Sequence, residues 1–408
     1  MAQYTSEQRN SSEETFDPTE STSRTERFLI VGSGIAAMAA AEEIRRLCPD
    51  AAVMVLSEER SLPYDRTALS KHPLCPQIGE QYAIHAPEWY STHGIFLLSD
   101  RAAARILPRT KQIELADGEL MSYDKCILAT GAAPILPQIE GRSLDGVFTL
   151  RSKSDFERLA QNIRPEARAV VIGGGALGLE AAWQLYLGGC HVTVLEKEDR
   201  LLAGRIGAQT SARLAEIAAA RDVTVRTGVT VTKLQGEGRV EQVILPGEYL
   251  SAETVLFCCG TRPRIELAEE AGLEVDGGIA VNARMMTNKY GVYACGDCAR
   301  FGKEICHAWD TAERMGRCAG RNAAGEDTLY RSEPAPLWLN AFGTRLFAVG
   351  ECRGEGDGLR TEHLQDAESD SFLCYQGNAL CGAVLLGNTS RAADLMRQLG
   401  GHTSPIRA

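Results

Sequence analysis

Short apolar runs alternate with glycine-rich turns and alanine-rich stretches along this chain. Residues 28–31 are all apolar and lead directly into Gly32-Ser33-Gly34. Residues 36–47 then have the alanine content and length of a helix, and residues 52–56 form a second apolar run. A strand, a glycine-rich turn, a helix and a second strand in this order predict parallel α/β structure.

The same order of elements begins again near residue 169. Residues 169–172 lead into a second glycine-rich turn, a helix is predicted over 177–187, and residues 191–195 form the next strand. Apolar runs at 126–131 and 255–260 close the two units in the same way. The duplicated architecture predicts an α/β fold with two Rossmann-like, three-layer (ββα) nucleotide-binding domains.

The remaining segments complete the first unit and add a third one. Residues 291–297 resemble a buried strand that ends in an acidic turn, and a helix follows over about 308–324. Short strand-like runs and a terminal helix at 390–399 predict a small, separate α+β domain. The expected division is a disordered tail (1–26), a discontinuous first nucleotide domain (27–146 and 275–333), a second nucleotide domain (147–274) and the C-terminal domain (334–408).

The two turns carry the G-x-G-x-x-G/A spacing of dinucleotide fingerprints. One small residue makes the tight turn, one lets the backbone approach a pyrophosphate, and one lets the helix pack close to the strand. The helix then directs unpaired N–H groups at the phosphates. These roles fall to Gly32, Gly34 and Ala37 in the first unit and to Gly173, Gly175 and Gly178 in the second.

Acidic residues follow the second strand of each unit, where a carboxylate is expected to bind a ribose diol. Glu196 lies 18 residues after Gly178, while Glu58 and Glu59 lie 21 and 22 residues after Ala37. An acid here favours NADH over NADPH at the second site. The neighbouring Lys197 and Arg200 leave NADPH as the less favoured alternative.

The composition argues against several other classes of protein. The 54 acidic and 43 basic residues give a net charge of −11, which argues against a nucleic-acid surface. No apolar stretch approaches the roughly 18 residues that a membrane span needs. The 13 scattered cysteines indicate the reducing cytoplasm, and the 7 dispersed histidines predict no metal site.

Several stretches together resemble a known family. They are residues 62–71, 129–131, 173–180, 260–263 and 293–297. On these residues the chain resembles the FAD-dependent pyridine nucleotide oxidoreductases, and within them the NADH:rubredoxin and ferredoxin reductases and the flavoprotein domains of nitrite reductases. The resemblance implies FAD at the first fingerprint and NADH at the second.

The resemblance also implies which residues serve each cofactor. Lys71 and Glu180 are expected to form a catalytic pair near flavin N5, and Asp297 is expected to bind the ribityl chain. Trp309 opens a helix that would direct its N-terminus at the flavin, with plain core packing as the alternative. The implied FAD site comprises Gly32, Gly34, Ala37, Glu58, Glu59, Arg66, Lys71, Ala129, Thr130, Gly131, Gly296, Asp297 and Trp309, and the implied NADH site comprises Gly173, Gly175, Gly178, Glu180, Glu196 and Gly260.

The chain departs from the family pattern in places. Ala133 stands where the family often has an arginine, so one phosphate or ribose contact is expected to be missing. Residues 57–63 contain no cysteine and Cys75 falls later, which argues against thiol chemistry at that site. Cys295 and Cys298 form a C-x-x-C pattern that we interpret as small buried thiols.

The implied activity is hydride transfer from NADH to flavin N5, followed by electron transfer to a small redox protein such as rubredoxin or ferredoxin. The flavin lets a two-electron donor meet a one-electron acceptor. The protein is expected to be a monomer or a homodimer. Two alternatives stay open: an oxidase or dehydrogenase of a small organic substrate, and a redox-sensing NADH-binding flavoprotein.

Overall fold

The computed structural model describes residues 25–74, 79–353, 358–366 and 369–400. Residues 1–24 of the predicted tail, and Cys75, lie outside the described residues. Two five-stranded parallel sheets dominate the fold, as the sequence predicted. In spatial order, the first contains β19 (Val292–Ala294), β7 (Lys125–Leu128), β1 (Arg27–Val31), β2 (Ala52–Leu56) and β3 (Ile95–Leu98), and the second contains β12 (Thr224–Arg226), β11 (His191–Leu195), β10 (Arg168–Ile172), β16 (Thr254–Phe257) and β9 (Val147–Thr149).

Helices cover these sheets and connect their strands. None of the helices among the described residues is long and apolar enough to cross a membrane. The helices are α1 (Ile35–Leu47), α2 (Ala68–Lys71), α3 (Pro87–Thr92), α4 (Lys153–Asn162), α5 (Ala176–Leu187), α6 (Ala208–Ala219), α7 (Glu266–Glu270), α8 (Trp309–Ala323) and α9 (Ala392–Gln398), with 3-10 turns at Glu80–Tyr82 and Gly296–Cys298.

Small sheets form the third layers and link the two units. β8 pairs with β17 and so joins the first unit to the second. The strands are β4 (Ala103–Leu107), β5 (Gln112–Leu115) and β6 (Leu120–Ser122); β13 (Lys233–Gln235), β14 (Gln242–Leu245) and β15 (Glu248–Ser251); β8 (Ala132–Pro134) and β17 (Thr261–Pro263); and β18 (Ile279–Val281), β20 (Ala299–Phe301) and β21 (Glu304–Ile305).

Close packing of α1 against α8 ties a late segment of the chain to the first fingerprint. A Cβ atom built on Gly316 would lie 2.2 Å from the Ala36 carbonyl oxygen, and one on Gly320 would lie 2.5 Å from that of Ala40. Small residues facing each other one turn apart therefore let the two backbones touch. This contact brings the N-terminal end of α8 to the nucleotide side of the first sheet.

The C-terminal segment forms an antiparallel sheet that shares a hydrophobic core with the second unit. Its strands, in spatial order, are β22 (Leu337–Ala341), β23 (Thr344–Gly350), β26 (Ala379–Leu386), β25 (Asp370–Gln376) and β24 (Leu359–Gln365). Phe342 and Leu346 belong to the same core as Leu179 and Leu214. The opposite face of the sheet packs on α9. The hydrophobic core therefore continues across the predicted boundary at residue 334.

Candidate active site

The two fingerprint turns have matching backbone geometry. Gly32 and Gly173 have φ angles of +111° and +117°. A Cβ atom on Gly32 would lie 2.1 Å from the carbonyl oxygen of Ala129, and one on Gly173 would lie 2.3 Å from that of Cys258. Each position therefore requires glycine both for its conformation and for the close passage of a neighbouring strand.

The second glycine of each fingerprint borders open space. Gly34 and Gly175 are the N-caps of α1 and α5, and no side chain caps either helix. A Cβ atom on either glycine would meet nothing within 4 Å. The amides of both first turns are thus accessible to an anion, so both cradles fit the pyrophosphate of a dinucleotide.

The third position of each fingerprint serves packing. A Cβ atom on Gly178 would lie 2.0 Å from the Gly173 carbonyl oxygen, so α5 approaches β10 closely. Ala37 takes this place in the first unit and is fully buried. The first unit accordingly has room for one methyl group between helix and strand.

Glu196 directly follows β11 and faces the second fingerprint. Its Oε2 accepts a hydrogen bond of 2.6 Å from Gly174 N, and its Oε1 accepts one of 2.9 Å from Glu198 N. Two backbone donors therefore fix the carboxylate while leaving further lone pairs for ligand hydroxyls. Cys259 lies nearby, and burial raises the pKa of its thiol to about 11.

In the first unit, the position equivalent to Glu196 is occupied by Ser57 and not by Glu58 or Glu59. Leu56 and Leu195 are the last paired residues of β2 and β11, so Ser57 corresponds to Glu196. The Ser57 hydroxyl lies 2.8 Å from that of Ser33. Neither Glu58 nor Glu59 therefore occupies the position in the first unit that Glu196 occupies in the second.

Glu58 and Glu59 are both paired with arginines. Glu58 forms an ion pair with Arg264, and Glu59 accepts a 2.5 Å hydrogen bond from Arg66. The Arg66 guanidinium also donates to Tyr64 Oη and to the Arg151 carbonyl oxygen, each at 3.1 Å. The contacts of these residues with FAD remain predictions.

Asp297 meets the turn after β7 at the carboxyl end of the first sheet. β19 lies beside β7, and Gly296 follows with a φ angle of +73°. The Thr130 hydroxyl donates to the Arg264 carbonyl oxygen at 2.9 Å, and Gly131 has a φ angle of +71°. The sheet therefore brings together two predicted FAD elements that are far apart in sequence.

Arg151 contacts both of these elements, and sequence reasoning missed it. Its Nη2 donates to Asp297 Oδ2 at 2.8 Å, and its Nε donates to the Ala132 carbonyl oxygen at 3.1 Å. The capping box of α4, formed by Ser152 and Asp155, follows immediately. That S-x-x-D pattern was a local signal for a helix start just after Arg151.

Glu180 lies buried where three parts of the chain converge. Its Oε2 accepts a 2.5 Å hydrogen bond from Ser70 Oγ, and its Oε1 accepts one of 3.1 Å from Asn340 N. Burial raises the pKa of Glu180, while the charge of Lys71 acts in the opposite direction. Among the described residues no ion pair joins Lys71 to Glu180, so Lys71 acts on this carboxyl through the longer-range effect of its charge.

The N-terminus of α8 lies within reach of the charge of Lys71, which acts on Asp310 there as well as on Glu180. Trp309 is its first residue and is half-buried, so the structure leaves both roles predicted for it open. Burial and the charge of Glu313 raise the pKa of Asp310, while the charges of Arg314 and Lys71 partly oppose this rise. Sequence reasoning missed Asp310, although it lies one residue after Trp309.

The cysteines of the C-x-x-C pattern are free and fully buried, as interpreted from the sequence. Burial raises the pKa of Cys295 and Cys298. A thiol held in its protonated form is a poor nucleophile. Neither residue is therefore suited to disulfide exchange.

Two dinucleotide cradles on two parallel sheets, with a buried carboxylate and a lysine at their junction, define a nucleotide-dependent oxidoreductase. The chain belongs to the pyridine nucleotide-disulphide oxidoreductase family, whose model matches residues 26–316. FAD and NADH are the cofactors of this family, and both cradles fit them. The predicted resemblance and fold class are confirmed.

Three members of the family show which of its proteins this chain is similar to. The chain is 30% identical to the biphenyl dioxygenase system ferredoxin–NAD(+) reductase component of Paraburkholderia xenovorans, over 92% of this chain and 93% of that protein. It is also 30% identical to the benzene 1,2-dioxygenase system ferredoxin–NAD(+) reductase subunit of Pseudomonas putida, over 80% and 81%. A ferredoxin reductase from Rhodopseudomonas palustris superposes with a TM-score of 0.86 at 26% identity, over 93% and 96% of the two chains.

Proposed function

We propose that this protein takes hydride from NADH at its second fingerprint and delivers electrons through FAD to a small electron-transfer protein of the ferredoxin or rubredoxin type. Bound FAD would supply the hydride acceptor and the one-electron chemistry. The relatives named as ferredoxin reductases support the choice of acceptor. The absence of disulfides among the described cysteines supports a reducing compartment such as the cytoplasm.

One observation carries the proposal: two equivalent cradles belong to one chain, and the buried Glu180 carboxylate of the second unit accepts a hydrogen bond from Ser70 of the first. Glu180 is on α5, which begins at the second fingerprint, while Ser70 and Lys71 belong to the first unit. In this proposal Glu180 and Lys71 orient the nicotinamide for in-line transfer. Glu196 would bind the NADH ribose, and Asp297 would accept a hydrogen bond from the FAD ribityl chain.

We also propose the division into an FAD domain and an NADH domain that the sequence predicted. β19 completes the first sheet, which supports a discontinuous FAD domain over 27–146 and 275–333. β9 and β16 pair in the second sheet, which supports an NADH domain over 147–274. We propose a monomer or a homodimer.

Anaerobic stopped-flow reduction tests the proposed function. We expect NADH to bleach the flavin absorbance of the purified holoprotein within seconds, and NADPH to do so more slowly. Slow reoxidation by air and fast reoxidation by ferredoxin or rubredoxin would support a protein acceptor. Failure of NADH to bleach the flavin would exclude the reductase, and fast reoxidation by air would favour the oxidase.

A further inference from the structure

We propose that an arginine-lined cavity at the amino edge of the second sheet binds a small phosphate-bearing anion. The cavity lies between α4 and the loop that leads into β9, and three arginines line it: Arg142, Arg158 and Arg239. Its volume of about 440 Å³ lies within the range of small-molecule sites. The cavity is separate from both fingerprint cradles, and nothing in the proposed function uses it.

The cavity and the second fingerprint lie at opposite edges of one parallel sheet. Gly146 and Val147 line the cavity at the amino end of β9, which pairs with β16. The second fingerprint follows the carboxyl end of β10, which also pairs with β16. Four strand residues at about 3.3 Å each separate the two edges by roughly 13 Å. A ligand in the cavity therefore leaves the second cradle open.

Two partners hold Arg239 in place. Its Nη2 donates to Asn162 Oδ1 at 2.5 Å and to the Glu253 carbonyl oxygen at 3.2 Å. Asn162, the last residue of α4, donates in turn to the buried Thr254 hydroxyl at 2.8 Å. Among the described residues neither Nε nor Nη1 of Arg239 has a partner. These groups are therefore available to an anion on a guanidinium whose orientation is already set.

The loop wall of the cavity is also fixed. The Asp145 N–H donates to the Gly238 carbonyl oxygen at 3.0 Å, and the Asp145 carbonyl oxygen accepts from Val240 N at 2.8 Å. Gly146 has a φ angle of +84°, and a Cβ atom there would lie 2.8 Å from the Glu253 carbonyl oxygen. The loop therefore packs tightly against the residues around Arg239. Such preorganisation lowers the entropy cost of binding a ligand.

The lining has a charge opposite to that of the whole chain. Arg142, Arg158 and Arg239 line the cavity together with a single acid, Asp145, so three positive charges and one negative charge leave a formal charge of +2. Among the described residues no carboxylate forms an ion pair with any of these arginines. The chain as a whole has a net charge of −11. The cavity is therefore a local positive site that attracts anions.

The type of side chain favours phosphate as the anion. A guanidinium presents a planar fork of N–H donors that matches two phosphate oxygens. Arg158 lies one turn before Asn162 on α4, and its guanidinium carbon is 5.9 Å from the centre of the Phe148 ring. Phe148 also lines the cavity and offers an apolar surface to the organic part of a ligand. A small organic phosphate fits both features.

Calorimetric titration of the holoprotein with pyrophosphate at low ionic strength tests the proposal. NAD+ at saturation would fill the second cradle without reducing the flavin. We expect one equivalent of pyrophosphate to bind with a dissociation constant of about 1 mM or below, both with and without NAD+. Citrate, a multivalent anion without phosphate, should bind more weakly.

Arg142→Gln and Arg158→Gln should each weaken pyrophosphate binding by about 10-fold or more, because each removes charged hydrogen bonds to the ligand. Neither side chain makes a hydrogen bond among the described residues, so both variants should keep the wild-type melting temperature. The matched control is Arg164→Gln, since Arg164 is exposed, lies two residues after α4 and does not line the cavity. It removes the same charge and should bind pyrophosphate nearly as the wild type does.

Four results would each overturn the proposal: no binding of pyrophosphate to the wild type, displacement of pyrophosphate by NAD+, wild-type affinity in both Arg142→Gln and Arg158→Gln, or citrate binding as tightly as pyrophosphate. None of these results depends on reduction of the flavin by NADH. Failure of the proposed function is therefore distinguishable from failure of this site.

Discussion

The Glu196 carboxylate accepts a hydrogen bond of 2.6 Å from the backbone N–H of Gly174. In the first unit the equivalent residues are Ser57 and Ser33, whose hydroxyls lie 2.8 Å apart. The two units therefore share a backbone frame but differ in charge at the same point. This difference supports separate ligands for the two fingerprints and leads to the first prediction.

Replacing Glu196 with alanine should weaken NADH binding and leave FAD in place. Hydrogen bonds to a carboxylate contribute about 1.5–3 kcal/mol, so the NADH dissociation constant should rise roughly 10- to 100-fold. Titration of the holoprotein with NADH and the FAD content after purification measure the two effects. The exposed neighbour Glu198, changed to Gln, should behave as wild type. Equal loss of FAD and NADH would contradict the assignment of Glu196.

Gly34→Ala should separate cofactor binding from folding. A methyl group at Gly34 meets no protein atom within 4 Å, but it projects into the cradle where a pyrophosphate would lie. We expect a melting temperature of the apoprotein near that of the wild type and a much lower FAD content. Gly204→Ala is the control, because its Cβ also meets nothing within 4 Å but lies outside both fingerprints. Full FAD content in Gly34→Ala would rule out this cradle.

Glu180→Gln should remove a pH-dependent cost to stability. Because burial raises its pKa in the folded state, the fold binds more protons than the unfolded chain above the usual glutamate pKa of about 4.3. The stabilisation from this group is fully present below that pH and is lost as pH rises through the raised value. The stability of Glu180→Gln relative to wild type should therefore increase from pH 4 towards neutrality.

Urea unfolding at several pH values measures this difference for Glu180→Gln. A difference between Glu180→Gln and the wild type that stays constant with pH would show that the pKa of the Glu180 carboxyl is not raised in the fold.

Gly316→Ala should destabilise the protein through the contact of α1 with α8. The added Cβ would lie 2.2 Å from the Ala36 carbonyl oxygen, so the backbones must separate. Overpacking of this kind costs about 1–3 kcal/mol. Thermal unfolding should show a lower midpoint than in Gly204→Ala, and FAD retention should fall with it. A wild-type midpoint would mean that the two helices are not packed this closely.

The sequence predicted those parts of the fold whose structure depends on a single short segment of the chain. Residues 35–47 and 176–187 form helices within one residue of the predicted positions, because apolar strands, glycine turns and alanine-rich stretches all agree there. The sequence gives no strand signal for β24, because Leu-Arg-Thr-Glu-His-Leu-Gln lacks apolar alternation, and this strand pairs only with β25 at the edge of its sheet. Its strand structure depends on β25 beside it.

Local sequence was enough to predict the two α/β units, their fingerprint glycines and an acid at position 196, because these features act over a few neighbouring residues. The contacts of Arg151 with Asp297, of Ser70 and Asn340 with Glu180, and of Ser57 with the first fingerprint arise only from tertiary packing. These partners come from separate segments. Side-chain hydrogen bonds between distant segments depend on where packing brings those segments, and no local pattern of residues encodes that meeting.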